Sequence, residues 1–224
     1  MQLRNLSIGY NQSAPIVTSI DAELLPATFT CLLGRNGSGK STLLMTLAKQ
    51  LKPLSGSILY NNETKDQRYT EPSLILPKAP ELQNTTVREL VCYGRLPYTG
   101  IFGRLHDADY KVADEAIARV GISHLSQKFI NALSDGERQK ALIAKGLAQG
   151  SDILLFDEPS AFLDYPSRRA LMTLLQELSH TDKKTILLST HDVELATQYT
   201  DRLWVISDNH LTEKAPQDFS PEEL

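Results

Sequence analysis

Eight residues near the start of the chain, Gly34-Arg35-Asn36-Gly37-Ser38-Gly39-Lys40-Ser41, follow the spacing G-x-x-x-x-G-K-[ST]. The chemistry that this spacing serves is capture of a nucleoside triphosphate. Gly34, Gly37 and Gly39, with Asn36 and Ser38 in the same loop, let successive backbone N–H groups turn toward phosphate oxygens. Lys40 supplies the cation that bridges the β- and γ-phosphates, and the Ser41 hydroxyl is a Mg²⁺ ligand. Thr42 is placed to reach the α-phosphate side. The octet follows the apolar run Phe29–Leu33 and precedes Ser41–Leu51, where Leu43, Leu44, Leu47, Ala48 and Leu51 recur at helical spacing. A strand before the loop and a helix after it are the required context, and the helix adds its positive N-terminal end. These residues predict binding of Mg²⁺ with ATP or GTP.

A second group of candidates stands at the end of Ile153-Leu154-Leu155-Phe156-Asp157-Glu158. Asp157 closes an apolar strand, where it makes a poor core residue but a good Mg²⁺ partner at a sheet edge. Glu158 is placed to orient and polarise the water that attacks the γ-phosphate. Many strands simply exit into solvent through acidic residues; the phosphate loop upstream favours the catalytic reading. A third peptide, Leu133-Ser134-Asp135-Gly136-Glu137-Arg138-Gln139, opens a helix with Ser134 as cap and Glu137 as its capping-box partner. By itself it reads equally well as an ordinary capped helix.

The elements that must hold these groups alternate along the chain. Strands are expected at Leu3–Ile8, Val17–Leu25, Phe29–Leu33, Ser57–Tyr60, Ser73–Leu76, Ile153–Phe156, Thr185–Ser189 and Leu203–Ser207. Helices are expected at Ser41–Leu51, Asp135–Gln149, Ser167–Ser179 and Val193–Tyr199, giving a mainly parallel sheet. Residues 77–130 read differently. Thr86 and Glu89 cap a helix that runs to about Tyr93, a Gly/Pro/Tyr-rich stretch covers 94–103, and a helix at Ala108–Val120 is capped by Asp107 and closed by Gly121. A helical segment inserted between two βα halves follows.

Composition excludes some partners. A net charge of −4 gives no electrostatic grip on nucleic acid. Cys31 and Cys92 lack metal-type spacing and read as reduced, half-buried or core thiols. No run approaches the ~18 apolar residues of a membrane-spanning helix, and MQLRNLSIGY has no apolar signal-peptide core. The expectation is a cytoplasmic chain that meets a membrane only through a partner.

Taken in order, the three peptides resemble the motifs of ABC ATPases, and the resemblance spans essentially the whole chain. Gly34–Thr42 is similar to Walker A, Leu133–Glu137 to the Leu-Ser-Gly-Gly-Gln-type signature, and Ile153–Glu158 to Walker B with its catalytic Glu. Tyr10 resembles the aromatic that stacks on adenine, Pro159 to Asp164 the D-loop, and His191 the switch histidine that contacts the γ-phosphate. The resemblance implies an α/β P-loop NTPase fold in one domain, residues 1–224. Residues 1–76 and 133–224 would form a mainly parallel core with an N-terminal antiparallel β part, and about 77–132 an inserted helical subdomain. It also implies a head-to-tail pair of copies sharing two ATP molecules. Ser134 and Gly136 would then serve the partner's nucleotide, and Asp164 of the D-loop is a further nucleotide-binding candidate.

Three positions depart from the family pattern. Lys78 stands where a glutamine normally helps to bind Mg²⁺; it could contact the γ-phosphate instead, with Gln83 as an alternative substitute. Asp135 replaces the first glycine of the signature, and Ala161-Phe162 replaces the commoner Ser-Ala of the D-loop. The chain stops at Ser220-Pro-Glu-Glu-Leu224, where related chains often continue with another short helix.

Within the family, Thr86-Val87-Arg88-Glu89-Leu90 followed by Gly94-Arg95-Leu96-Pro97-Tyr98 is most similar to the ATPases of iron–siderophore, haem and cobalamin importers. That implies a polytopic permease docking near 86–104, a substrate-binding protein beyond it, and peripheral attachment to the cytoplasmic side of a bacterial inner membrane. Val87, Leu90, Val91, Leu96, Pro97, Tyr98, Ile101 and Phe102 supply apolar groups for such a groove, with Arg95 taken as solvent-exposed. The main alternative is a soluble ABC-type ATPase such as an iron–sulfur assembly ATPase. A P-loop kinase would lack the Leu133–Glu137 peptide and the His191 switch.

Overall fold

The computed structural model describes residues 1–11, 13–60, 71–77, 84–100 and 103–223; Lys78, Gln83, Ile101 and Phe102 lie outside them. The strands are β1 (Gln2–Ile8), β2 (Val17–Glu23), β3 (Phe29–Gly34), β4 (Ser55–Leu59), β5 (Ser73–Ile75), β6 (Ile153–Asp157), β7 (Thr185–Ser189), β8 (Arg202–Ser207) and β9 (His210–Lys214). The α-helices are α1 (Lys40–Leu47), α2 (Val87–Cys92), α3 (Asp107–Arg119), α4 (Asp135–Ala148), α5 (Tyr165–His180) and α6 (Val193–Tyr199).

Two sheets form. The small one is antiparallel, in the order β2-β1-β4. The large one runs β5-β6-β7-β3-β8-β9, with the first five strands parallel and β9 folded back antiparallel on β8. Alternation along the buried strands assigns each residue to one of two cores. Phe29, Cys31, Leu33, Leu154, Phe156, Ile186, Leu188, Leu203 and Val205 pack with α2–α6 on one face. Leu32, Leu155, Leu187, Trp204 and Ile206 pack on the other face with α1 and the small sheet. Each fully buried large side chain contributes about 1.5–3 kcal/mol by leaving water, so both faces clamp the central strands. This is the P-loop ABC ATPase fold, with an N-terminal antiparallel sheet, a mixed core sheet and an inserted helical region.

Several expected boundaries move for identifiable reasons. The helix after the phosphate loop ends at Leu47 rather than Leu51, because Lys49 turns left-handed at φ 59° and the Gln50 N–H bonds back to Met45 O at 2.9 Å. His106, not Asp107, caps α3: its backbone N–H donates to Asp109 Oδ2 at 3.0 Å, while Asp107 is already helical and exposed. The α5 helix starts two residues before the expected Ser167, since Asp164 Oδ1 accepts from the Ser167 N–H at 3.0 Å and Pro166 suits the first turn. The β9 strand was not expected from HLTEK. Its hairpin rests on Asp208 and Asn209, both at positive φ, a two-residue turn whose twist matches the strands it joins.

The inserted region is anchored to α4 at one close crossing. Gly94, in a 3₁₀ stretch at Tyr93–Tyr98, lies so near α4 that a Cβ there would sit 2.3 Å from Lys145 O. Gly94→Ala therefore has to push apart the 3₁₀ stretch and α4, a destabilisation of about 2 kcal/mol or more. Urea unfolding is expected to show the loss; an unchanged midpoint would contradict the crossing.

Candidate nucleotide site

The phosphate loop joins β3 to α1 at the carboxyl edge of the large sheet. Gly37 and Gly39 take φ of 81° and 105°, values that L side chains rarely adopt. Gly39 is also crowded: a Cβ would meet Ile16 Cγ2 at 2.7 Å, so the loop is braced from below by residues just before β2. Gly34 is crowded too, because a Cβ there would fall 2.5 Å from Ser38 Oγ. Ser38 Oγ is itself buried without a hydrogen-bond partner.

Lys40 is 5% exposed and turns its ammonium into the loop, donating to Gly34 O at 2.8 Å and Arg35 O at 3.3 Å. Its Nζ also lies 3.7 Å from Glu158 Oε1. Glu158 Oε2 in turn lies 3.7 Å from His191 Nδ1. Lys40, Glu158 and His191, from three separate parts of the chain, thus meet at one point. Asp157 is buried beside them and accepts from the Ser189 hydroxyl at 2.8 Å. Thr42 is buried, Ser41 is exposed at the start of α1, and Tyr10 is 71% exposed, a free aromatic face near the loop that leads to β2.

The donor set suits Mg²⁺ with a triphosphate. The candidate ligands Ser41 and Asp157 offer hard oxygens, and among the described residues no three His, Cys, Asp or Glu gather for a metal. Mg²⁺ is commonly held by one or two carboxylates together with substrate phosphates and water. The unpartnered Ser38 hydroxyl and an ammonium spent on main-chain carbonyls are groups that an anion in the loop would satisfy.

Ser134 and Gly136 lie elsewhere. They line a cleft of about 320 Å³ with Leu163, Ser167 and Leu171, between the N-termini of α4 and α5. The Ser134 cap forms as expected, with its Oγ accepting from the Glu137 N–H at 3.3 Å and the Glu137 carboxylate accepting from the Ser134 N–H at 2.8 Å. The Ser134 N–H, and after it the Ser134 hydroxyl, which donates to Glu137 Oε2 at 3.0 Å, hold the Glu137 carboxyl below the usual range. Asp164 caps α5 and its carboxyl is held low by the Ser167 contacts.

Residues 17–161 match the family described as ABC transporter. The chain belongs to that family. It is 34% identical over 230 residues to the petrobactin import ATP-binding protein FpuD of Bacillus anthracis, covering 100% of this chain and 84% of the relative. It is 36% identical over 205 residues to the achromobactin transport ATP-binding protein CbrD of Dickeya dadantii, covering 89% and 76%. Among solved structures, cbiO1 of Clostridium perfringens, part of the ABC transporter complex cbiONQ, superposes with a TM-score of 0.85 at 28% identity, covering 99% of this chain and 91% of that one. This ABC transporter chain is therefore an ATP-hydrolysing subunit related to the siderophore import ATPases.

Sequence reasoning missed two features of this ABC ATPase. Ser189 ends an apolar strand and gives no signal of its own until the parallel register sets it opposite Asp157. Arg95 was expected at the surface, and that is corrected. Its side chain is 12% exposed, with Nε 3.1 Å from Asp109 Oδ1, Nη1 donating to Ala148 O at 2.9 Å and the guanidinium 3.6 Å from the Tyr98 ring centroid. Val87, Leu90 and Val91 are also fully buried, so of the expected apolar groove residues Leu96 and Pro97 stay at the surface, beside Tyr93.

Asp109 couples this network to pH. Its carboxyl is held below the usual range, first by the His106 N–H and then by Arg95. A lowered carboxyl contributes stability above its unfolded pKa, and that contribution is lost as pH falls through the folded one. Arg95→Glu places a second carboxylate beside Asp109 and is expected to cost about 3 kcal/mol or more, measured by urea unfolding at pH 7. The cost should shrink as the pH falls through the range in which the carboxyls protonate, the Glu first and Asp109 below the usual carboxylate range; full stability at pH 7 would contradict the arrangement.

Proposed function

We propose that this chain powers an importer of an iron–siderophore, haem or cobalamin-like complex by hydrolysing Mg²⁺-ATP, two copies acting head to tail around two shared nucleotides. The observation that carries the reading is the meeting of Lys40, Glu158 and His191 at the carboxyl edge of the sheet, with Glu158 oxygens 3.7 Å from Lys40 Nζ and from His191 Nδ1. In this reading residues 1–224 act as one ATPase unit, with about 77–132 as its helical subdomain.

The roles follow from each group's chemistry. The loop amides of Gly34, Asn36, Gly37, Ser38 and Gly39 bind phosphate oxygens, and Lys40 exchanges main-chain carbonyls for the β- and γ-phosphates. Ser41 and Asp157 hold Mg²⁺, which when bound neutralises phosphate charge. Thr42 contacts the α-phosphate side and Tyr10 stacks on adenine. Glu158 accepts a hydrogen bond from the attacking water and orients it in line, while His191 holds the γ-phosphate. Lys78 adds a cation toward that phosphate. Ser134 and Gly136, at a helix N-terminus, and Asp164 meet the nucleotide of the second copy.

The petrobactin and achromobactin names of the relatives support the cargo class. No described helix is long and apolar enough to cross a membrane, which suits peripheral attachment to a permease on the cytoplasmic face. A substrate-binding protein would act through that permease. The docking face would include Leu96 and Tyr93, 47% and 41% exposed, and a neighbouring cleft of about 530 Å³ that Tyr93, Leu105 and Tyr110 help to line.

Three variants test the proposal. Glu158→Gln should keep ATP and trap a dimer on gel filtration, with turnover reduced at least about 100-fold. Lys40→Ala should instead lose ATP affinity. Parental hydrolysis by the first variant, or parental affinity in the second, contradicts the site. Tyr93→Glu with Leu96→Glu should abolish co-purification with the permease and leave ATP hydrolysis by the isolated subunit unchanged. Full uptake by that double variant would contradict the docking face, whereas a parent chain on which no uptake depends would favour a soluble ABC-type ATPase instead.

A further inference from the structure

The two acidic residues assigned to metal and water, Asp157 and Glu158, are tied together by one atom of a neighbouring strand. Ser189 is fully buried and pairs with Asp157 in the parallel register of β6 and β7. Its Oγ accepts a hydrogen bond from the Glu158 backbone N–H at 3.0 Å. An amide can only donate, so the hydroxyl's single proton is left for Asp157 Oδ1, 2.8 Å away. Both contacts thus have a fixed direction, and the hydroxyl has no alternative orientation that satisfies them.

The backbone adds a second observation. Glu158 has φ 43°, a left-handed conformation that costs a non-glycine residue energy and persists only when neighbours hold it. The bond from Ser189 falls on the amide of that strained residue. We propose that Ser189 is a positioning residue for hydrolysis: its hydroxyl sets the rotation of the Asp157 carboxylate and holds the Glu158 backbone turn, fixing the metal-side and water-side carboxylates relative to each other. Ser189 itself touches neither nucleotide nor water. The inference rests on the roles proposed for Asp157 and Glu158.

A matched pair of substitutions isolates the hydroxyl. Ser189→Thr and Ser189→Val add nearly the same bulk to a closed site, so their packing cost is shared and they differ in the oxygen. Four quantities are read on the full chain: kcat and KM for ATP, the Mg²⁺ concentration that half-saturates binding of a fluorescent ATP analogue, and the melting temperature. Removal of a group that orients a metal-site carboxylate typically lowers metal affinity or activity roughly 10- to 100-fold. The Val variant is expected to show a kcat lower than the Thr variant by that factor and a raised Mg²⁺ half-saturation, with KM for ATP alike in the two and a melting temperature a few degrees lower in Val, where the Glu158 amide and Asp157 lose their partner. Equal kcat and equal Mg²⁺ dependence in Thr and Val overturn the proposal. Should both fail to fold, Ser189→Ala, which removes only the oxygen, decides against the parent chain: parental kcat and Mg²⁺ dependence overturn the inference, and a fall in kcat with a raised Mg²⁺ half-saturation supports it. Glu158→Gln is run alongside. If it is inactive while Thr and Val match, only the Ser189 role fails; if it turns over at the parental rate, the assignment of Glu158 fails first.

Discussion

The register of three adjacent parallel strands is the constraint from which the site follows. Cys31 pairs with Leu188 and Leu32 with Ser189, while Phe156 pairs with Leu188 and Asp157 with Ser189. The carboxyl ends of β6 and β7 therefore finish level, β3 runs two residues further to Gly34 beside β8, and the segment after each opens at one edge. Those segments carry Gly34–Ser41, Glu158 and His191. A one-residue slip in any of these strands would invert its buried faces and move its polar end off that edge. The two cores that lock the register, one on each face of the sheet, are thus also what makes the three groups meet.

Placing charge at the end of buried strands has a cost, and local chemistry offsets it. Lys40 is almost fully buried, and its ammonium is held by two main-chain carbonyls and faces Glu158. A buried charge without such partners would be expensive. The strained turn at Glu158, worth on the order of 1–3 kcal/mol, is offset by the hydroxyl of Ser189. On the proposed roles, incoming phosphates would compete with carbonyl oxygens and a carboxylate for the same ammonium, which would link nucleotide binding to the freeing of Glu158 through Lys40.

Much of this was legible because the signals are local. The glycine octet between strand and helix, the apolar strand that ends in Asp157-Glu158 and the Ser134–Glu137 cap depend on near neighbours in sequence, and the fold class followed from strands alternating with helices. What the sequence concealed depends on distant partners or on single turns. Ser189 looks like one more strand residue until β6 lies beside it. Arg95 reads as a surface charge until Asp109, Ala148 and Tyr98 close around it. The early end of α1 rests on one left-handed residue, Lys49, and the β9 hairpin on Asp208 and Asn209, whose positive φ no hydrophobic pattern encodes.

The cleft that holds Ser134 and Gly136 lies between the N-termini of α4 and α5, whereas Lys40, Glu158 and His191 gather at the end of the sheet. If both groups serve the same nucleotide, a second copy has to bring its signature peptide to the phosphate loop of the first. The most direct measurement is the Mg²⁺-dependent ATP hydrolysis rate per chain as a function of protein concentration at saturating ATP. The account predicts that the rate per chain rises with concentration and levels off once pairs form. A rate per chain that stays constant down to concentrations where sedimentation with ATP shows only monomer would contradict it.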